Sequence, residues 1–160
     1  MTFGFLIMFL TIHTTAGVII GHEVNNIGLA FLLGFVSHFL LDLVPHGDQE
    51  LGKNNSPAGL KLLLKIGIVD AILVIGLMAY LFIIKPELQT PFVVFGVIGA
   101  LLPDALNALA VFFKPKFLDG YRAIHVKLHY LWNGFTINIK QGLALQLIFL
   151  TAFMAIILSN

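Results

Sequence analysis

Five long apolar stretches dominate this chain and most constrain how it can fold. They cover roughly residues 3–21, 27–44, 60–84, 91–113 and 141–158, and short polar segments separate them. A helix needs about 20 predominantly apolar residues to cross the hydrocarbon core of a bilayer. The stretches therefore predict an all-α, polytopic membrane bundle with about five transmembrane helices.

The composition agrees with a membrane location. Hydrophobic residues make up 59% of the chain and charged residues 11%, whereas about 25% of the residues in soluble domains are charged. We expect one integral membrane domain over residues 1–160, and membrane lipids as its partners. The formal net charge is only +1, and no basic tract indicates nucleic-acid binding. The absence of cysteine excludes disulfides and thiolate metal sites.

The positions of the cationic residues predict the orientation, because cytoplasmic loops are enriched in Lys and Arg. No Lys or Arg precedes the first stretch, which we expect to be a retained span rather than a cleaved signal peptide. The segment 114–140 mixes charges with aromatic residues and fits an amphipathic helix at the membrane interface. With five spans, this segment shares one side with the N-terminus and the loop 46–59, and we place that side in the cytoplasm. Only Lys85 falls on the other side, whereas the cytoplasmic side carries Lys53, Lys61, Lys65, Lys114, Lys116, Arg122, Lys127 and Lys140.

The run 37–48 concentrates polar residues at the end of the second stretch. His38 and Asp42 are four residues apart, so on a helix they lie on one face. The proline three residues after Asp42 should end that helix. His46 and Asp48 would then lie in a turn at the helix end, where His and Asp side chains suit metal binding.

Other polar residues are predicted at a similar depth. Asp104 lies about nine residues, or roughly 14 Å along a helix, from the cytoplasmic end of its span. The orientation rests on Lys and Arg alone, yet it places the unusual His and Asp residues together, which favours one shared site. Seven residues are predicted in or next to the cytoplasmic half of the bilayer: His13, His38, Asp42, Asp70, Asp104, His125 and His129.

A carboxylate inside the membrane needs a partner, because burying its charge costs at least a few kcal/mol. Asp104 follows a proline within its span, and such helix interruptions occur where a helix lines a cavity. His125 and His129 repeat the four-residue spacing of helical zinc sites. Structural roles stay open as alternatives: a packed histidine for His13, a helix–helix hydrogen bond for His38 and Asp42, turn residues for His46 and Asp48, surface positions for His125 and His129, and pairing with a lysine for Asp70.

These motifs resemble those of a known family. The similarity rests on the His, Asp and Pro-His of the run 38–46, on Gly-Ala-Leu-Leu-Pro-Asp at 99–104, and on His-Thr-Thr-Ala-Gly at 13–17. The family consists of small prokaryotic inner-membrane proteins assigned as metal-dependent hydrolases, distantly similar to zinc-dependent phospholipases C and single-strand nucleases. The resemblance implies an inner-membrane location and a helical site of His and Asp ligands that holds more than one divalent metal ion. The family more often continues Pro-Asp with a polar residue, whereas Ala105 follows here.

We therefore expect a membrane-embedded metal-dependent hydrolase that cleaves a phosphoester, either a lipid phosphate or a lipid headgroup. Zinc is the first choice of metal, and manganese and iron also fit His and Asp ligands. Asp48 or Asp70 would orient the attacking water as a base, and Arg122 or Lys127 would hold the phosphate. The expected metal ligands are His38, Asp42 and Asp104, with one or more of His13, His46, His125 and His129.

Two other functions use the same residues. A metal or proton transporter also needs ionisable groups within the membrane, but it needs them across the whole bilayer. In a non-enzymatic membrane scaffold, the polar pairs would only hold helices together. A homo-oligomer formed through the uncharged fifth stretch remains open.

Overall fold

The computed structural model describes residues 9–44, 57–129 and 137–159. Over these ranges the chain is helical and contains no strand, as the sequence predicts. Two short 3-10 turns, Pro86–Leu88 and Lys116–Leu118, precede α4 and α5. The helices are α1 Leu10–Glu23, α2 Ile27–Asp42, α3 Pro57–Ile84, α4 Pro91–Phe113, α5 Asp119–His129 and α6 Ile139–Ser159.

Local sequence signals explain where the central helices begin and end. The Asn26 side chain accepts a hydrogen bond of 2.9 Å from the Leu29 N–H and so caps α2. Thr90 caps α4 in the same way, and Pro91 occupies the first helical position, where its missing N–H has no cost. α2 ends at Asp42, before the proline that was expected to stop it.

Three helices are long and apolar enough to cross a membrane: Leu64–Ile84 within α3, and the whole of α4 and α6. α1 and α2 have 14 and 16 residues, or about 21 and 24 Å of helix, which is short of the roughly 30 Å of a hydrocarbon core. The all-α class is therefore confirmed, with three helices that could cross a membrane, whereas the prediction of five full spans is not. The N-terminal part of the first predicted span, residues 3–8, lies outside the described residues.

Helix α4 lies at the centre of the bundle and packs most closely against α1 and α2. Glycines allow this close approach. A Cβ atom at Gly34 of α2 would lie 2.2 Å from the Gly96 carbonyl oxygen of α4, and one at Gly17 of α1 would lie 2.8 Å from the same oxygen. The backbones of three helices thus meet around Gly96, as small residues permit in membrane proteins.

The start of α1 is held by side chains from two other helices. The Asp70 carboxylate of α3 accepts hydrogen bonds from the backbone N–H groups of Leu10 and Thr11. The Gln146 side chain of α6 accepts a hydrogen bond of 2.9 Å from the Phe9 N–H. The first N–H groups of a helix have no partner within the helix, and in an apolar bundle they need one from elsewhere. This contact gives the buried Asp70 a structural role.

The two ends of the bundle differ in character. Towards the C-terminal end of α1, an apolar core contains Val18, Leu81, Val93, Val97 and Ile157. Towards its N-terminal end, the apolar core is smaller, and buried His and Asp side chains lie beside it. The fold thus concentrates the buried ionisable groups at one end.

Candidate metal centre

Four helices bring five His and Asp side chains into one buried cluster. Within it, His38 Nε2 lies 3.0 Å from Asp42 Oδ2 and 3.8 Å from Asp104 Oδ1. His13 Nε2 lies 3.4 Å from Asp42 Oδ1, and His125 Nε2 lies 3.5 Å from Asp42 Oδ2. We call this set the His/Asp cluster: His13 of α1, His38 and Asp42 of α2, Asp104 of α4 and His125 of α5.

The orientation of His38 is set by a backbone carbonyl. Its Nδ1 lies 2.8 Å from the Ala100 carbonyl oxygen of α4. A carbonyl oxygen only accepts, so Nδ1 carries the proton and donates. In a neutral imidazole, Nε2 then carries a lone pair directed at the cluster, as in metal-binding histidines whose other nitrogen donates to a carbonyl.

With this tautomer, a cation is needed between His38 and Asp42. The lone pair of Nε2 and the carboxylate oxygen are both acceptors, and at 3.0 Å they repel unless a cation lies between them. That cation is either a second proton on the imidazole or a metal ion. A second proton would join His38 and Asp42 in a buried ion pair, whereas a metal ion would take both atoms as ligands, and the geometry accommodates either cation.

His125 is oriented by a tyrosine on the preceding turn of α5. The Tyr121 hydroxyl donates a hydrogen bond of 2.7 Å to the Pro103 carbonyl oxygen of α4. Its oxygen lies 3.0 Å from His125 Nδ1; because the hydroxyl proton is already used, Nδ1–H is the donor in this contact. Burial raises the pKa of Tyr121 above its usual value, and the charges of Asp104 and Asp42 add to this effect, so the hydroxyl remains a donor at neutral pH.

Asp42 lies at the centre of the cluster and Asp104 at its edge. The Asp42 side chain is within 3.5 Å of three imidazoles and is almost fully buried, whereas the Asp104 side chain is 14% exposed. The rings of His13 and His38 are stacked, with centroids 4.1 Å apart. Two positively charged rings would repel at this distance, so the stacking favours a state in which at least one of the two imidazoles is neutral.

The distances between donor atoms fit coordination of one ion. Ligand atoms about 2.0–2.1 Å from a tetrahedral zinc ion lie roughly 3.3 Å from one another. Two groups of three donors are close enough to hold an ion: His13, His38 and Asp104, and His38, Asp42 and His125. Both groups need His38, whose single available lone pair binds one ion. The described residues therefore offer one ion position, whereas the resemblance implies more than one.

The structure places the other candidate residues differently. Asp70 lies at the start of α1, where it contacts backbone N–H groups. Arg122 is half-buried and lies three residues before His125, on the same face of α5, whereas Lys127 is exposed and two residues after it. The backbone of His129 ends α5, but its side chain lies outside the described part of the chain. His46 and Asp48 are also outside the described residues.

Sequence reasoning missed two groups that orient the histidines. Tyr121 lies in the segment 114–140, which the sequence predicts as an interfacial helix without singling this residue out; its position four residues before His125 was the signal that it could contact that ring. The Ala100 carbonyl left no signal, because a backbone group is not identified by residue type.

Comparison of the chain with known proteins adds no assignment. No family model, curated protein or solved structure matches it.

Proposed function

We propose that this protein is a membrane-embedded, metal-dependent hydrolase that cleaves a phosphoester of a lipid. The His/Asp cluster would hold one divalent ion, with zinc as the first choice and manganese or iron as alternatives. The resemblance of the motifs around His13, His38 and Asp104 to a family of inner-membrane hydrolases supports the same proposal.

One observation carries the proposal: two buried acceptor atoms, His38 Nε2 and Asp42 Oδ2, lie 3.0 Å apart and need a cation between them. Three imidazoles and two carboxylates surround this point. A structural hydrogen bond between helices would need only one His and one Asp. Burying five ionisable side chains is costly unless a bound ion compensates them.

Each residue has a proposed task. His38, Asp42 and His125, one of the two groups close enough to hold an ion, would bind it, while the Ala100 carbonyl and the Tyr121 hydroxyl orient the two rings. Asp104, at the more exposed edge of the cluster, would accept a proton from the attacking water. Arg122, on the cluster face of α5, would bind the phosphate through its planar guanidinium. A divalent ion supplies polarisation of the phosphoryl group and acidification of water at neutral pH.

A lipid substrate fits the surroundings of the cluster. Its helices expose apolar side chains to the bilayer, among them Leu40 of α2 and Ile124 of α5, each 61% exposed. A lipid can enter sideways between such helices, whereas a soluble phosphoester would have to cross an apolar surface. In the proposed orientation the cluster faces the cytoplasmic leaflet, because α3 begins on its side with Lys61 and Lys65.

A metal transporter is less well supported. The described residues beyond the cluster, towards the C-terminal end of α1, form an apolar core of Val18, Leu81, Val93 and Val97. An ion path across the bilayer would need polar groups through this core. A scaffold is also less well supported, because the glycine contacts around Gly96 already account for the close helix packing.

The test is metal-dependent hydrolysis by the full chain in mixed micelles. Phosphatidic acid would report cleavage of a lipid phosphate by release of inorganic phosphate, and phosphatidylcholine would report cleavage of a headgroup by release of phosphocholine. We expect one of these activities with added Zn²⁺ or Mn²⁺ and a loss of at least about 100-fold in Asp104→Asn. Asp119→Asn, on α5 but outside the cluster, is the control. No metal-dependent release from either lipid would contradict the proposal.

A further inference from the structure

A second feature of the bundle lies on the opposite side of α1 from the His/Asp cluster. α1 lies in contact with both α3 and α6, and between these two helices a groove of about 1060 Å³ remains. This volume is slightly above the roughly 300–1,000 Å³ of small-molecule sites. Ile12 lines the groove, whereas its neighbour His13 belongs to the cluster. None of the five cluster residues lines the groove.

The walls of the groove are almost wholly apolar. They include Val69, Leu73 and Gly76 of α3 and Leu147 of α6. Both helices are long and apolar enough to cross a membrane, so this surface faces lipid in a bilayer. Along α3 the lining residues run from Lys65 to Tyr80, or roughly 22 Å of helix. That length exceeds the roughly 15 Å of hydrocarbon that one leaflet contributes.

Lys65 places a cationic group at one end of the groove, and the carboxylate of Asp70 also lines it. Lys65 lines this end and is exposed, and it forms no ion pair with any residue that the structure describes. The nearby carboxylate of Asp70 is engaged by the backbone at the start of α1. An ammonium group at the edge of a membrane-spanning segment is stabilised by an anionic headgroup. An apolar groove with one cationic end is complementary to an acyl chain that ends in a phosphate.

We propose that the groove between α3 and α6 binds one acyl chain of an anionic phospholipid, with the headgroup phosphate at Lys65. The lipid fills the space over α1 that neither α3 nor α6 covers. It is a bound structural lipid rather than the hydrolase substrate, because α1 separates the groove from the cluster. The proposal stands independently of the metal site and of the proposed activity.

Two glycines on α3 provide matched variants. A Cβ atom at Gly76 or at Gly67 would meet nothing within 4 Å, so both positions have room for a larger side chain. Gly76 lines the groove and Gly67 does not. Gly76→Phe should therefore fill the groove, whereas Gly67→Phe adds the same ring to the same helix outside it. Lys65→Gln and Lys61→Gln form a second pair, since only Lys65 lines the groove.

The experiment is photolabelling of the full chain in bilayers of phosphatidylcholine and phosphatidylglycerol, with a diazirine on the acyl chain of either lipid. Peptide mapping should place the phosphatidylglycerol label on groove residues such as Leu73 and Leu147. We expect Gly76→Phe to reduce this label at least fivefold and Gly67→Phe to leave it unchanged. Lys65→Gln should lower the ratio of phosphatidylglycerol label to phosphatidylcholine label about fivefold. Lys61→Gln should leave this ratio unchanged.

Three results would overturn the proposal. The first is a label spread evenly over the exposed faces of α3 and α6. The second is equal labelling in Gly76→Phe and Gly67→Phe. The third is occupation of the groove by a second copy of the chain, which a single-cysteine variant such as Leu147→Cys would reveal as disulfide-linked dimers. The chain has no native cysteine, so that crosslink would report this position alone.

Discussion

Replacing Gly34 by alanine should destabilise the bundle and disturb the cluster together. Gly34 lies one turn before His38 on α2, and its backbone touches α4. The added Cβ would lie 2.2 Å from the Gly96 carbonyl oxygen, whereas ordinary contact begins at 3.4 Å. Along this line the two helices would have to separate by about 1.2 Å, the difference between those distances. The neighbouring group is backbone, so it cannot relieve the clash by a change of rotamer.

This separation sets the expected magnitude. Overpacking typically costs 1–3 kcal/mol, and we expect the upper end, about 3 kcal/mol, because backbone meets backbone. The movement would also stretch the 2.8 Å hydrogen bond from His38 Nδ1 to the Ala100 carbonyl. Loss of such an orienting contact weakens metal binding by about 10- to 100-fold.

The assay is equilibrium unfolding in mixed detergent and dodecyl sulfate micelles, followed by circular dichroism, with metal affinity measured by competition against a chelating dye. Gly67→Ala is the control, because its Cβ meets nothing within 4 Å. It should stabilise α3 by about 0.5–1 kcal/mol through lower backbone entropy of the unfolded chain. Equal unfolding free energies for the Gly34→Ala and Gly67→Ala variants would refute the packing argument.

Three further predictions concern the cluster and the start of α1. Tyr121→Phe removes the hydroxyl that orients His125 and should weaken metal binding about 10- to 100-fold by dye competition; unchanged affinity would exclude that role. Asp70→Ala leaves the N–H groups of Leu10 and Thr11 without their acceptor and should lower the unfolding free energy by about 2–4 kcal/mol, with part of the loss recovered in Asp70→Asn. Metal affinity should fall between pH 8 and pH 6, because protons compete with the ion for the imidazoles; a pH-independent affinity would speak against histidine ligands.

The sequence predicted the helices with good boundaries wherever an apolar stretch, a cap and a proline agreed. α4 covers Pro91–Phe113, as expected, because Thr90 and Pro91 define its start. The first two stretches were less predictable. They are apolar enough to span a membrane, but the described α1 starts only at Leu10, where side chains from α3 and α6 replace the missing turn. Such a long-range cap leaves no local signal.

Most members of the His/Asp cluster could be predicted from the sequence. Depth along each span, assigned from Lys and Arg positions, was enough to group His13, His38, Asp42 and Asp104, which the structure brings together. Depth does not specify which face of a helix a residue occupies. For this reason Asp70 was grouped with the candidate catalytic residues, although it contacts the start of α1.

The histidine tautomers depended on tertiary contacts. The proton on His38 Nδ1 is assigned from the Ala100 carbonyl, and that on His125 Nδ1 from the Tyr121 hydroxyl. Both partners lie near Pro103, which cannot donate a backbone hydrogen bond within α4. The sequence shows the proline as an interruption of the helix. It does not show that the Ala100 carbonyl and the Tyr121 hydroxyl contact the two histidines nearby.

The central claim is that the cluster holds one divalent metal ion through His38, and metal content tests it most directly. Elemental mass spectrometry would be applied to the detergent-purified chain after loading with Zn²⁺, Mn²⁺ or Fe²⁺ and removal of excess metal. His22→Ala is the matched control, since His22 lies at the far end of α1 beside Glu23. We predict about one ion per chain in the unmodified protein and in His22→Ala, and a near-complete loss in His38→Ala. A chain that takes up no metal, or that retains it in His38→Ala, would contradict the claim.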